Sequence, residues 1–461
     1  MRVTGRSRLG RRARGGWTFA DARGLLERMT DAVPAPPRPA IAPFHETPAA
    51  RRALALFGAG LAAADPGPAV VAAMADVVED PPGPGGRWQV IALGKAARAM
   101  TAAALAALPA GTPALVVTNH ENAAPLAGAR VMGAGHPVPD AAGLAAATEI
   151  ETALRTLGPE DRLLALISGG GSALAPAPVA GLSLDDKAAV NRLLLGAGAD
   201  ISQMNLVRQA LSRLKGGGWL RICRAPGVAL MISDVPGDDL RVIASGPTVA
   251  PLGTPAQAAQ LCRDVGLWER LPEPARNALA APPPPPVPAR AFRNLLVGSN
   301  ARSLAAMAAA GATTAPFALA GDVADAARVL AAALTGLAPG AALAAGGETT
   351  VRLTGTGTGG RNQELALRTA LHLAETGPPE GDWAVLVAGS DGRDGPTEAA
   401  GAIITPGTLG RIRAAGLDLR AVLFRNDSTP ALTAGQALLV TGPTGTNVAD
   451  LAVLVRGAAP G

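Results

Sequence analysis

The stretch RLLALISGGGSALAPAP, residues 162–178, changes character at Ser168. An unbroken apolar run precedes that serine, and Gly169, Gly170, Gly171 and Ser172 follow it. Apolar residues at consecutive positions, without polar alternation, describe a strand covered on both faces. Four other segments read the same way: WQVIALG (88–94), ALVVTN (114–119), GVALMIS (227–233) and NLLVGS (294–299). Ala- and Leu-rich helical stretches separate them. The predicted fold class is therefore α/β, with a doubly wound parallel sheet in the N-terminal part.

These runs end in Lys95, in Asn119-His120, in the glycines 169–171, in Asp234 and in Asn300. Ligands of open parallel sheets sit beyond the carboxyl ends of the strands, so the residues gathered there mark a candidate site. Any one of them alone is equally an ordinary polar loop. The glycine triplet can wrap an anion with its amides, and Ser168 and Ser172 can add hydroxyl donors. It is not a Walker A loop, since no G-x-x-x-x-G-K-[ST] occurs in the chain. Asp234, Asp238 and Asp239 facing such a loop suit Mg²⁺ or removal of a hydroxyl proton, with turn capping as the alternative.

The segment NLVRQALSRLKGGG (205–218) predicts a helix capped by Asn205, with Val207, Leu211 and Leu214 inward and Arg208, Ser212 and Lys215 on another face. The chain has three lysines, Lys95, Lys187 and Lys215, and two of them lie beside glycine loops. A compact point charge suits an anion there. Ser183 and Asp186 predict a capping box, and Lys187 receives no role.

Composition excludes several classes. The net charge is +5, but residues 1–14 carry six Arg and no acid, so the remainder nets 5 − 6 = −1. Neither a basic nucleic-acid surface nor an aromatic stacking platform is present, for Tyr is absent and Trp and Phe number 5 and 6. Cys223 and Cys262 alone make no disulfide framework or metal cluster. The uncharged stretch 329–347, interrupted by Pro339, reads as helix–turn–strand rather than a membrane span. The expected compartment is the cytoplasm. The arginine-rich start reads as a disordered tail or a wrongly assigned beginning, with a mitochondrial-type presequence as a further alternative.

With 461 residues, two domains or three are expected. The proline-rich APPPPPVPAR (281–290) places a boundary, giving an extension at 1–44, a domain at 45–290 and another at 291–461. TTVRLTG (349–355) alternates polar and apolar residues, which predicts a mixed sheet with one solvated face.

Gly355, Gly357 and Gly360 spell the G-x-G-x-x-G of dinucleotide folds. The preceding run alternates, however, and the next strand-terminal acid, Asp391, lies 31 residues past Gly360. Arg361, Asn362 and Gln363 at the following helix start suit phosphate or carboxylate oxygens.

The ordered segments ALGKAARAM, GHPVPD, ISGGGSAL, NLVRQALSRLKGG, SDVPGDDLRVIASGPT, GGETTVRLTGTGTGGRNQELAL, AGSDGRDGPTEAAGAI and VTGPTGTNVADL resemble the glycerate 2-kinases of the MOFRL type, often called hydroxypyruvate reductases. The resemblance runs from about residue 51 to the end. It implies a Rossmann-like N-terminal domain and a smaller α/β C-terminal domain closing over a cleft. It implies γ-phosphoryl transfer from ATP to the 2-hydroxyl of D-glycerate, with Mg²⁺. Lys95 and Arg361 would hold substrate carboxylate or transferring phosphate, and Asp234 would act as base or metal contact, joined by Asp238. Ser168, Gly169, Gly170, Gly171, Ser172, Lys215 and Asn300 would serve the nucleotide. His136, Arg208, Asn362 and Asp391 would serve the substrate, a loop-structuring role being equally open for His136. Ser390 and Thr429 depart from the family pattern, where Thr and an aromatic residue are usual. The expected partners are the small molecules D-glycerate and ATP, without nucleic acid or membrane, in a monomer or homodimer. A nicotinamide-dependent hydroxypyruvate reductase and a non-catalytic sugar-acid-binding protein are the competing readings.

Overall fold

A computed structural model describes residues 47–288 and 292–458. The extension expected at 1–44 lies outside the described residues. The first sheet contains β1 (Trp88–Leu93), β2 (Ala114–Asn119), β3 (Ala129–Ala134), β4 (Arg162–Ile167), β5 (Gly227–Ile232) and β6 (Phe292–Gly298). All its pairings are parallel, in the order β3-β2-β1-β4-β5-β6. Alternate residues of the same strands enter two separate cores. Ile91, Leu163, Ile167 and Met231 pack on one face, and Val90, Leu164, Leu166 and Leu230 on the other. This is why the runs read as continuously apolar. The chain order reverses between β1 and β4, opening a crevice at their carboxyl ends.

The second sheet contains β7 (Thr313–Thr314), β8 (Ala342–Gly347), β9 (Trp383–Gly389), β10 (Gly401–Ile404), β11 (Leu438–Leu439) and β12 (Asp450–Arg456). Its order is β11-β10-β9-β12-β8-β7, antiparallel except between β7 and β8, so it is mixed as expected. The expected solvated face is not there. One face carries the helices Val323–Gly336 and Arg361–Thr376, and the other the helices Pro48–Ala63 and Asn300–Ala309. TTVRLTG makes one isolated bridge, Thr350 to Asp322, and forms no strand; the run 329–347 supplies helix, turn and β8.

Two segments lie across the boundary expected near 290. β6 follows the proline-rich stretch in sequence yet pairs with β5. The helix Pro48–Ala63, capped by the Thr47 side chain with Pro48 in its first turn, packs on the second sheet through the fully buried Phe57. The chain therefore crosses between the two units more than once. Among the described residues no single helix is long and apolar enough to span a membrane.

Candidate active site

The crevice of the first sheet is closed by interlocked turns. Ser168 N donates to Leu93 O (2.9 Å) and Lys95 N to Gly169 O (2.9 Å). The buried Ser168 hydroxyl accepts from Ala96 N (3.0 Å), so it fixes the Lys95 turn against the glycine loop. A methyl group on Gly169 would stand 2.0 Å from Asp234 Oδ2. Gly170, at φ +84°, lies under His136 and the Lys95 stem. Only glycines let three side chains close in this way. Burial, then the neighbouring Lys95, pushes His136 below its ordinary value, so its ring is neutral near pH 7.

The second sheet presents its own edge. Asp450 pairs in register with both Gly347 and Gly389, which brings Glu348 and Asp391 beside it. The Asp450 carboxylate is 1% exposed. It accepts from Arg361 Nε (2.7 Å), Arg361 Nη2 (3.0 Å) and Asn362 Nδ2 (3.0 Å). Arg361 Nη1 also donates to Glu348 Oε1 (2.5 Å). A guanidinium has five N–H donors, so this clamp leaves one on each Nη for another anion.

The two edges meet. Lys95 Nζ stands 3.6 Å from Asp391 Oδ2, and Asn447 Nδ2 donates to Asp234 Oδ2 (3.4 Å). Burial pushes the Asp234 carboxyl up to about 6, against its own backbone amide; Glu348 and Asp391 raise it further and Lys95 opposes. A carboxylate poised there can take a hydroxyl proton near neutrality.

The G-x-G-x-x-G segment has another purpose. Methyl groups on Gly355 and Gly357 would strike the backbone of 425–427, and one on Gly360 would reach Asp394 at 2.2 Å. Asp394 accepts from the backbone amides of Asn362 (3.1 Å) and Gln363 (2.8 Å). The helix terminus that would hold a pyrophosphate is filled by the protein's own carboxylate.

Residues 52–280 match a family described as a domain of unknown function, DUF4147, and residues 341–450 match the MOFRL family. A protein of Agrobacterium vitis bearing the name hydroxypyruvate reductase is 42% identical over 87% of this chain and 93% of its own. A glycerate 2-kinase of Pyrococcus horikoshii is 35% identical over 80% of this chain and 87% of its own. The crystal structure of glycerate kinase from Thermotoga maritima superposes with a TM-score of 0.78 at 34% identity, covering 88% of this chain and 99% of that one. The chain belongs to the MOFRL family of glycerate 2-kinases.

In this family member the two departures noted above serve internal contacts. Ser390 Oγ accepts from Val448 N (2.8 Å), and Thr429 Oγ1 donates to Gln363 Oε1 (2.6 Å). Lys95, Gly169, Gly170, Asp234, His136, Asp391 and Arg361 gather at the facing edges. Several other candidates do not join them. Asn300 Nδ2 is held by the carbonyls of Val448 (2.8 Å) and Asp450 (3.0 Å), tying its helix to β12. Asn362 is 1% exposed and supports Asp450 from behind. Asp238 sits in a turn at φ +56° with its amide on Val235 O. Asp239 pairs with Arg241 (2.7 Å).

The helix expected over 205–218 runs instead from Ile201 to Ala210, capped by Asp200 and Gln203. Ser212 then bridges to Pro178, so Arg208, Ser212 and Lys215 share no helical face. The helix stops because Arg213 N and the guanidinium turn to the carbonyls of Ala177 and Pro178. The capping box at Ser183 and Asp186 forms as expected.

Sequence reasoning named neither Glu348, Asp394, Asn447 nor Asp450. Their one signal is position: Glu348 directly follows a strand and Asp450 opens one.

Proposed function

We propose that this protein is an ATP-dependent glycerate 2-kinase, moving the γ-phosphoryl group of ATP to the 2-hydroxyl of D-glycerate. The observation that carries the reading is the convergence of Lys95 and Asp234 from one sheet with Arg361, Glu348 and Asp391 from the other. Phosphoryl transfer requires positioning and charge neutralisation more than a strong nucleophile.

In this reading Asp234, ionised above about pH 6, accepts the proton of the attacking hydroxyl. Asn447 orients that carboxylate from the opposite unit. Lys95 exchanges Asp391 for the acceptor's carboxylate or the transferring phosphate. The two outward N–H groups of Arg361 face the developing negative charge. Neutral His136 borders the same space and offers a hydrogen bond without adding charge.

Among the described residues no three His, Cys, Asp or Glu side chains form a metal cage. Mg²⁺ takes one or two carboxylates and completes its shell with phosphate oxygens and water, and the carboxylates of Glu348 and Asp391, both charged neighbours of Asp234, suit it. Glu348 and Asp391 would hold it, and it would neutralise phosphate charge.

Purified protein given Mg-ATP and D-glycerate, coupled to enolase, tests the reading, because enolase accepts 2-phosphoglycerate directly. A parallel assay follows NADH and NADPH with hydroxypyruvate. ADP formation without nicotinamide oxidation is expected, given the occupied terminus at Gly360. Nicotinamide turnover without ADP would establish the reductase instead.

A further inference from the structure

Residues 444–449 of the second unit reach into the first. Val448 is fully buried and joins the core of Val90, Leu230, Ile232 and Val297 in the first sheet. Thr446 Oγ1 donates to Ala64 O (2.6 Å), where the chain passes from the helix on the second sheet to the helix Pro66–Val77 on the first. Between these two anchors Asn447 Nδ2 donates to Asp234 Oδ2 (3.4 Å). Its Oδ1 accepts from Ala449 N (3.2 Å), so the amide is held with its donor side towards the carboxylate.

Ser390, directly after β9 and fully buried, fixes this segment from its own side. Its hydroxyl accepts from Val448 N (2.8 Å), its amide donates to Ala449 O (3.0 Å), and its carbonyl accepts from Thr444 Oγ1. Ala449 lies at φ +65°, a left-handed conformation that a residue with a Cβ keeps only where its surroundings hold it. The amide and carbonyl contacts would survive loss of the side chain. The hydroxyl contact would not, and it is made to the residue next to Asn447.

A buried N–H deprived of its acceptor bears the full penalty of its desolvation. Without the hydroxyl, the turn at 447–449 shifts to find the Val448 amide another acceptor, and Asn447 shifts with it. The neighbouring Asp391 turn is held by other bonds. Asp391 Oδ1 accepts from Arg393 N (3.0 Å) and its carbonyl from Thr444 N (3.4 Å), neither of which uses the Ser390 hydroxyl. The hydroxyl therefore acts on Asn447 and leaves the Asp391 contact with Lys95 in place.

We propose that Ser390 is a positioning residue: its hydroxyl, through the Val448 amide, sets Asn447 on Asp234 and so aims the carboxylate that takes the proton of the attacking hydroxyl. The inference rests on the kinase reading. It adds a residue of the second unit that governs the base of the first without touching it.

The test is steady-state kinetics of the full chain with Mg-ATP and D-glycerate, well below every melting midpoint. The variants are Ser390→Ala, Ser390→Thr, Asn447→Ala and the double variant of Ser390→Ala with Asn447→Ala. Each single alanine variant should lose about tenfold in kcat, with KM for ATP within about twofold of wild type. The double variant should match Asn447→Ala to within about twofold, because the serine acts through the asparagine. Ser390→Thr keeps the hydroxyl and should recover most of the lost kcat. Ser390→Cys puts a weak acceptor in the same place and takes over from Ser390→Ala, with the same expectation, where that variant fails to fold. A wild-type kcat in Ser390→Ala overturns the proposal. So do single losses that multiply in the double variant, which would make the serine a general support, and a Thr variant as slow as the Ala variant. These outcomes leave the kinase reading standing. Wild-type protein that forms no 2-phosphoglycerate overturns that reading and this inference with it.

Discussion

The carboxylate of Asp450 grips Arg361 with two parallel hydrogen bonds, 2.7 Å at Nε and 3.0 Å at Nη2, from the first residue of β12. Because Asp450 is in register with Gly347 and Gly389, the pair stands where two neighbouring strands release Glu348 and Asp391. The guanidinium is thus held in one direction by the protein's own carboxylate. A planar bidentate pair fixes direction in a way a lysine cannot.

Asp450→Asn keeps the shape and removes the charge. The expected result is a fall in kcat of about a hundredfold, from a loosened transition-state contact. Arg361→Lys should lose a similar factor. Steady-state kinetics with saturating nucleotide checks both; a wild-type kcat in either would remove the clamp from catalysis.

With Asp234 as the proposed base, activity should depend on pH. Its carboxyl titrates near 6 in the folded protein, so the rate should climb as pH rises through that value. Asp234→Asn should lose a factor of about 10²–10⁴ and flatten the limb. Stability runs the other way. A carboxyl whose folded value is raised favours the native state below its unfolded value, and that contribution disappears as pH rises through about 6. The Asn variant should therefore melt higher than wild type above pH 6 and no differently below about pH 4, the ordinary aspartate value.

Gly169→Ala tests the contact between loop and base. The new methyl would enter the space of Asp234 Oδ2, 2.0 Å away. Turnover should drop about tenfold or more while the melting temperature moves by a few degrees, since the displaced group borders the cleft. Wild-type turnover would show that Asp234 is free to move without consequence.

Asp394→Ala addresses the second unit alone. It would strip the amides of Asn362 and Gln363 of their acceptor at a buried helix start. A destabilisation of about 1–3 kcal/mol is expected by denaturant titration. Nicotinamide should still fail to bind, because Gly355 and Gly357 remain packed on residues 425–427.

The β1, β2, β4, β5 and β6 strands were legible because each is apolar at successive positions. The edge strand β3 was not, for Arg130 and Gly133 interrupt it and much of it is partly exposed. The Val351–Leu353 alternation was misleading. Thr350 bridges to Asp322, Thr354 N donates to Asn426 Oδ1 (2.7 Å), and the segment runs between them as a loop with Leu353 exposed, so no strand forms. Lys95, the glycine loop and Asp234 were legible because each stands directly after a strand. Glu348 and Asp450 were hidden because their importance depends on strand register across the second sheet. Asn300 and Asn362 looked like ligands for the same reason. Their sequence neighbours are polar, and only packing shows the amides turned inward.

By itself the sequence determined that a parallel sheet forms and which loops lie at its carboxyl edge, because hydrophobic periodicity and glycine placement are local properties. Tertiary structure alone decided that the helix start after Gly360 is closed to an outside anion. The helix start after Gly360 is filled by Asp394, more than thirty residues away. Charge compensation acts through space, and no local pattern records which distant carboxylate will arrive.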